Sequence, residues 1–379
     1  MTATHPADPR PEREPGRDRA QEELGRLVPV LFGHAAFQQL NAGCRLGLFE
    51  LLDAGGPLPA AKVAEGLGIP HRSAGVLLLG TTALGLTTAG NGVDGAPGET
   101  GTEEGNRLYR NGPPVAAAFR EGLWPVLRDI VEFQDRVSYL PAADYAESLA
   151  TGENTGIRHF PGTTRDLYTR LAGVPGLEEL FYRCMHSWSA LSNPVLVERT
   201  DFTGVRRVLD VGGGDAVNAL ALARAHPSLR ITVLDRAGAL EVAERNIREA
   251  GLADRVTTAA ADIFTDPWPG GHDCALFAHQ LVIWSPEQNL GLLRKAYEAV
   301  GPGGRALVFN AFSDDDGAGP LYAALDNVYF TTLPFRHSTI YRWGECENWL
   351  REAGFGEIRR TTGNGWTPHG VVSGRRPAP

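Results

Sequence analysis

The chain has 379 residues, 42% of them hydrophobic, with a formal net charge of −9 at neutral pH and a pI near 5.6. Its length exceeds the usual single domain, so two domains are expected, and the acidic balance argues against nucleic acid or an anionic membrane surface as the main partner. No run approaches the ~18 unbroken apolar residues of a membrane span, and no apolar core of a secretion signal opens the chain, so a cytoplasmic protein is expected.

Residues 1–20 are rich in Pro, Arg, Glu and Asp and read as a disordered tail, because they lack the apolar surface to offset the entropy of ordering. Over residues 22–52, Leu24, Leu27, Val28, Leu31, Phe32, Phe37, Leu40, Cys44, Leu48, Phe49 and Leu52 recur at three- and four-residue intervals. The spacing predicts helices whose broad apolar face suits a partner subunit. Short helices follow over 61–69 and from an N-cap at Ser73 to Leu84. A hairpin with a polar tip over 90–106 comes next. Helix, helix, hairpin is a winged-helix arrangement, but the acidic tip and the absence of basic residues from the 73–84 helix disfavour DNA, so a dimerisation and lid module is expected. Helices over 115–149, a loop over 151–162, a helix from Thr164 and another over 177–191 lead to a domain boundary near Asn193-Pro194.

Residues 206–235 then read as strand, glycine turn, helix, strand: Val208, Leu209 and Val211 stop at Gly212-Gly213-Gly214, and a second strand ends at Asp235. Three glycines let a ligand lie against the main chain, and an acid ending the second strand can accept both hydroxyls of a ribose. A dinucleotide is disfavoured, because Val217 stands where the third glycine would be and Asp215 would repel phosphates. Asp210 and Asp215 suit a cation instead, which points to S-adenosylmethionine with its ammonium and sulfonium. From Phe202 onward strands and helices alternate, which predicts a doubly wound, mostly parallel sheet. The four cysteines, Cys44, Cys184, Cys274 and Cys346, form no C-x-x-C pair and read as small buried hydrophobes.

V-L-D-V-G-G-G at 208–214 resembles the first motif of class I S-adenosylmethionine-dependent methyltransferases, in the form typical of small-molecule O-methyltransferases. Further motifs follow in the family's order: Asp235, Ala261-Asp262-Ile263-Phe264, a strand over 273–277, Trp284-Ser-Pro-Glu-Gln-Asn, and Val300-Gly-Pro-Gly-Gly into a fifth strand. The resemblance covers residues 22–377 and is to the dimeric enzymes of bacterial natural-product and plant phenolic metabolism. It implies a class I, Rossmann-like α/β domain over 194–379, preceded over 21–193 by a mostly helical, winged-helix-like dimerisation and substrate-lid domain. It also implies a cytoplasmic homodimer that methylates a phenolic hydroxyl of an aromatic, polyketide-like intermediate in antibiotic biosynthesis.

Carried onto this sequence, the resemblance gives Asp210, Gly212, Gly213, Gly214, Asp235, Arg236, Asp262, Ile263, Ala278, Met185 and Trp284 to the cofactor. It gives Phe181, Trp188, Gln280, Asn310, Asp326, Asn327 and Phe330 to the substrate, with Tyr329, Phe335 and Trp343 nearby as aromatic walls. The family's histidine base and two acids are absent in their usual form: Val282 holds the histidine position, Asn310 one acid position and His337 the other. His279 from a shifted position or His337 from the opposite wall is expected to assist a reaction driven mainly by approximation. Asp314-Asp315-Asp316 reads as a solvated loop and no metal is expected. Two other functions fit less well: non-methylating chemistry on the same cofactor, such as hydroxylation, decarboxylation or cyclisation, and a winged-helix transcription factor.

Overall fold

The computed structural model describes residues 15–91, 107–363 and 365–378. The chain divides into two units, Met1–Trp124 and Pro125–Pro379. Residues 125–193, which the sequence reading grouped with the N-terminal helices, therefore belong with the sheet.

In the first unit, helices α1 (Pro15–Gly25), α2 (Val28–Leu31), α3 (Gly33–Leu46) and α4 (Leu48–Gly55) follow in succession. Residues 15–20, expected in the tail, are helical: the element opens on a proline, which suits a first turn, and continues into Ala20, Gln21, Glu22 and Glu23, which favour helix. Residues 1–14 and the expected hairpin tip over 92–106 lie outside the described residues. Strand β1 (Leu58–Pro59), helices α5 (Ala60–Leu67) and α6 (His71–Ala83), and strands β2 (Thr87–Asn91) and β3 (Arg107–Asn111) complete the winged-helix pattern, with α7 (Pro113–Arg120) after them. The three strands form one antiparallel sheet in the order β1-β3-β2. The cap of α6 is Pro70, three residues before the expected Ser73. Phe49 is fully buried against Trp124, whose indole N–H donates to Glu50 Oε1 at 2.9 Å. By contrast Val30, Leu31 and Phe32 are 77%, 65% and 58% exposed.

The second unit runs from Pro125, within α8 (Trp124–Phe133), through α9 (Tyr145–Thr151), α10 (Leu167–Ala172) and α11 (Leu177–Arg199) to the sheet. No break falls at Asn193-Pro194, because α11 continues through Pro194 and packs on the sheet domain, with Leu196 fully buried. The sheet comprises β4 (Arg207–Val211), β5 (Arg230–Asp235), β6 (Val256–Ala260), β7 (His272–Ala278), β8 (Val300–Ala311), β9 (Gly356–Thr362) and β10 (His369–Arg375), in the order β6-β5-β4-β7-β8-β10-β9. The strands from β4 to β8 are parallel and β10 runs antiparallel between β8 and β9.

Central strands buried on both faces need helices on both sides. Here α12 (Val217–Ala225) and α13 (Ala237–Glu249) cover one face with Leu220, Leu222 and Leu240, while α14 (Pro286–Ala299) and α16 (Trp343–Glu352) cover the other with Leu292, Leu293 and Leu350. Helix α15 (Leu321–Thr332) lies between β8 and α16 in sequence. This is the expected doubly wound sheet. All four cysteines are buried.

Candidate active site

The parallel strands end at a cavity of about 810 Å³, lined by the glycine turn after β4, the ends of β5 and β7, and residues of α8, α10, α11 and α15. Ligand crevices of open α/β sheets lie at this edge. Gly212 and Gly214 have φ of +70° and +55°, a region that favours glycine, and Ala216 shares it at +70°. A Cβ on Gly213 would come within 2.5 Å of Asp210 Oδ2, so the backbone there is pressed directly on the carboxylate beneath it. Gln280 holds the turn from the other side: its Nε2 donates to Gly212 O at 3.0 Å, and its Oε1 accepts from Trp284 Nε1 at 3.3 Å.

The charged groups of the lining are mainly acidic at this end. Asp235 accepts the Gly214 N–H at 2.9 Å and the Arg236 N–H at 2.7 Å, so its carboxylate is fixed at the rim of the turn. Asp262 accepts from Phe264 N and Thr265 N, which holds it below the usual carboxylate range and orders the loop carrying Ile263. Asp235, Arg236, Asp262, Ile263, Ala278, Met185 and Trp284 all line the cavity with Gly212, Gly213 and Gly214. A glycine cradle with two carboxylates around it and Arg236 as the sole Arg or Lys of the lining fits a nucleoside bearing positive charge, and does not fit a diphosphate.

Beyond Trp284 the walls are aromatic. Trp284, Phe335, Tyr168, Phe181, Phe133 and Tyr329 follow one another with ring centres 5.0, 5.7, 5.0, 6.1 and 5.7 Å apart. Trp188 and Phe330 also line the chamber, as do Gln280, His279 and Asp326. His279 has φ of +58° just past the end of β7 and is partly buried beside Phe309 and His369. Its Nε2 lies 3.1 Å from Ser192 Oγ, while that hydroxyl donates to Trp188 O at 2.9 Å. The hydroxyl hydrogen being spent on the carbonyl, Nε2 carries the proton and Nδ1 is left as the acceptor. Burial pushes His279 down to about 4, so the ring is neutral. Burial alone lifts Asp326 to about 7.

Five residues expected at the site are elsewhere. Asp210 is fully buried behind Gly213, outside the cavity lining, with neither carboxylate oxygen partnered among the described residues. Burial, with Asp235 and Asp215 close by, raises it to about 7. Asn310 is buried off the cavity, because strand alternation gives the cavity side to its neighbour Ala311. Asn327 turns away from its neighbour Asp326 and accepts from Thr339 Oγ1 and Ile340 N at 3.0 and 2.7 Å. His337 is exposed, in a left-handed conformation outside the lining. Trp343 is buried on the far side of the sheet, stacked on Phe312. Asp315, from the acidic run, accepts from Gly344 N and pairs with Arg360.

Two histidines absent from the sequence reading line the cavity. His369 comes from β10 and is held neutral by burial. His186, on the exposed side of α11, places Nδ1 2.7 Å from Asp215 Oδ2, and that hydrogen bond raises it. Both arise from pairings distant in sequence, so no local motif announces them.

A family model described as an O-methyltransferase domain matches residues 144–356. The chain belongs to that family. It is an S-adenosylmethionine-dependent methyltransferase. It is 42% identical over 364 residues to an L-tyrosine C(3)-methyltransferase of Streptomyces lavendulae, covering 96% of this chain and 95% of that one. It is 32% identical to a 3-hydroxy-5-methyl-1-naphthoate 3-O-methyltransferase of Streptomyces sahachiroi, covering 92% and 94%. The crystal structure of the S-adenosylmethionine-dependent methyltransferase SibL in its apo form superposes with a TM-score of 0.84, at 73% identity, over 93% of this chain and 99% of that one. No helix of the described residues is long and apolar enough to cross a membrane.

Proposed function

We propose that this methyltransferase acts on a phenol of an aromatic natural-product intermediate, at the hydroxyl oxygen. The observation that carries the reading is one continuous cavity joining the glycine cradle to a chamber walled by aromatic rings. Gly212, Gly213 and Gly214 would lie against the cofactor, Asp235 would accept its ribose hydroxyls, Asp262 and Ile263 would frame its adenine, and Met185, Ala278 and Trp284 would flank its sulfur end. When bound, S-adenosylmethionine supplies an electrophilic methyl group. The rings of the chamber hold the acceptor flat and exclude water, which strengthens alignment of the nucleophile. His279 Nδ1 is the acceptor for the phenol proton. A ring held near pKa 4 is a weak base, so positioning supplies most of the rate and the histidine assists.

A second acceptor atom is favoured by the relative that methylates tyrosine at C3. Loss of the phenol proton makes the ring carbon beside the hydroxyl nucleophilic as well; methylation there is followed by breakage of that carbon's C–H bond, its proton leaving as the ring becomes aromatic again, so the same chamber serves either atom. Methyl-labelled cofactor, offered with hydroxylated benzoates, naphthoates and aromatic amino acids, tests the proposal. Transfer of label to a phenol supports it, carbon NMR of the product assigns the atom, and absence of label from every phenol would falsify it.

The exposed run from Leu24 to Phe32 supports a homodimer in which a second copy covers that face. Light scattering that gave a monomer mass would remove this part.

A further inference from the structure

Of the acids lining the cavity beside the rings, Asp166 accepts from Tyr168 N and Thr169 Oγ1, and Glu178 and Glu179 are exposed on α11, whereas nothing in the methyl transfer just described uses Asp326. It lies on α15 with Tyr322 one turn before it and Tyr329 one turn after, both on the cavity wall. The rings around it offer apolar surface, and no hydrogen bond or ion pair to its carboxylate exists among the described residues. Arg236, the sole Arg or Lys of the lining, lies close to Asp235. His279 and His369 are kept neutral by burial, and His186 is paired with Asp215. A carboxylate that faces an apolar chamber without a protein partner is completed when a ligand brings a donor or a positive charge to it.

We propose that Asp326 receives an ammonium group carried by the acceptor, so that the substrate is an amino-bearing phenol and not its deaminated counterpart. The inference rests on the phenol methylation proposed above. A carboxylate only accepts, and in a chamber of aromatic faces a primary ammonium meets both a counter-charge and favourable ring quadrupoles. The amine and the phenol of one molecule would then be held at two fixed points, which orients the ring toward the glycine cradle.

The test compares tyrosine and 3-hydroxytyrosine with 3-(4-hydroxyphenyl)propionate and 3-(3,4-dihydroxyphenyl)propionate, in wild type and in Asp326→Asn. Calorimetry with S-adenosylhomocysteine establishes that the variant is folded. Wild type is expected to favour the amines in kcat/KM by on the order of tenfold or more. Asp326→Asn is expected to collapse that ratio, chiefly by raising KM for the amines.

Five results overturn the proposal. Equal or better use of the deaminated phenols by wild type, or label reaching hydroxybenzoates or hydroxynaphthoates and neither amine, removes the amine preference and leaves phenol methylation standing. A fall of kcat in the variant that is the same for both classes would make Asp326 a base. Loss of S-adenosylmethionine affinity with S-adenosylhomocysteine affinity kept would assign it to the sulfonium. No label on any phenol would remove phenol methylation and this inference together.

Discussion

His186 Nδ1 lies 2.7 Å from Asp215 Oδ2, so the first residue past the glycine turn is held by a side chain from α11. The same aspartate accepts from Val217 N and so starts α12. The folded protein raises His186 above its ordinary value through this bond. Its contribution to stability is therefore present below pH 6.5 and disappears as pH climbs through the raised value. Asp215→Asn should return the His186 titration, followed by NMR of the ring protons, to or below the ordinary value. An unchanged midpoint would show that the pair is not formed in solution.

Asp210 presents the opposite case to a usual salt-bridged acid. Its folded pKa is raised to about 7, so the folded chain binds that proton more tightly than the unfolded chain does. The associated stability is present below the unfolded value of about 4 and is lost as pH rises through about 7. Asp210→Asn should flatten the fall in Tm between pH 5 and 8 and leave the variant more stable at pH 8, each kcal/mol appearing as about 2–4 °C. A steeper fall in the variant would contradict this.

Gly213→Ala would place a methyl group against Asp210 and Val233 Cγ1, with contacts of 2.5 and 2.9 Å. Overpacking of this kind costs about 1–3 kcal/mol. The turn should shift and S-adenosylhomocysteine affinity should drop on the order of tenfold or more. Gly214→Ala meets nothing within 4 Å and carries only the strain of its φ of +55°, so its loss should be smaller. Calorimetry of the two variants side by side decides the order.

His279→Ala and His337→Ala should separate cleanly. His279 lines the chamber and should lower kcat at least about tenfold when removed, whereas exposed His337 should leave kcat within about twofold. Because His279 sits near 4, the acid limb of the wild-type kcat profile should fall well below pH 6.5. A limb at 6.5 would point to another group.

The glycine turn, Asp235 and the order of strands were legible because each is local: a short apolar run, a break, then helical spacing. Two of the errors were legible too. Strand residues alternate faces, so Asn310 and its neighbour Ala311 cannot both meet one cavity; helix residues advance about 100°, so Asp326 shares its face with Tyr322, Tyr329 and Phe330 and not with Asn327. The contacts of His186 with Asp215, and of His279 with Ser192 and His369, span dozens of residues. They exist only after the sheet closes, and no spacing rule reaches them. Pro194 misled for a different reason: a proline normally stops a helix, but burial of α11 against the sheet domain outweighs that local preference.

The six rings from Trp284 round to Tyr329 come from α8, α10, α11, α15 and the loops that precede α14 and follow α15. Each ring leans on the next, so none can swing aside without displacing its neighbour. Such a wall discriminates by thickness: flat molecules slide between the rings at little cost, while a puckered ring of the same composition must force several helices apart.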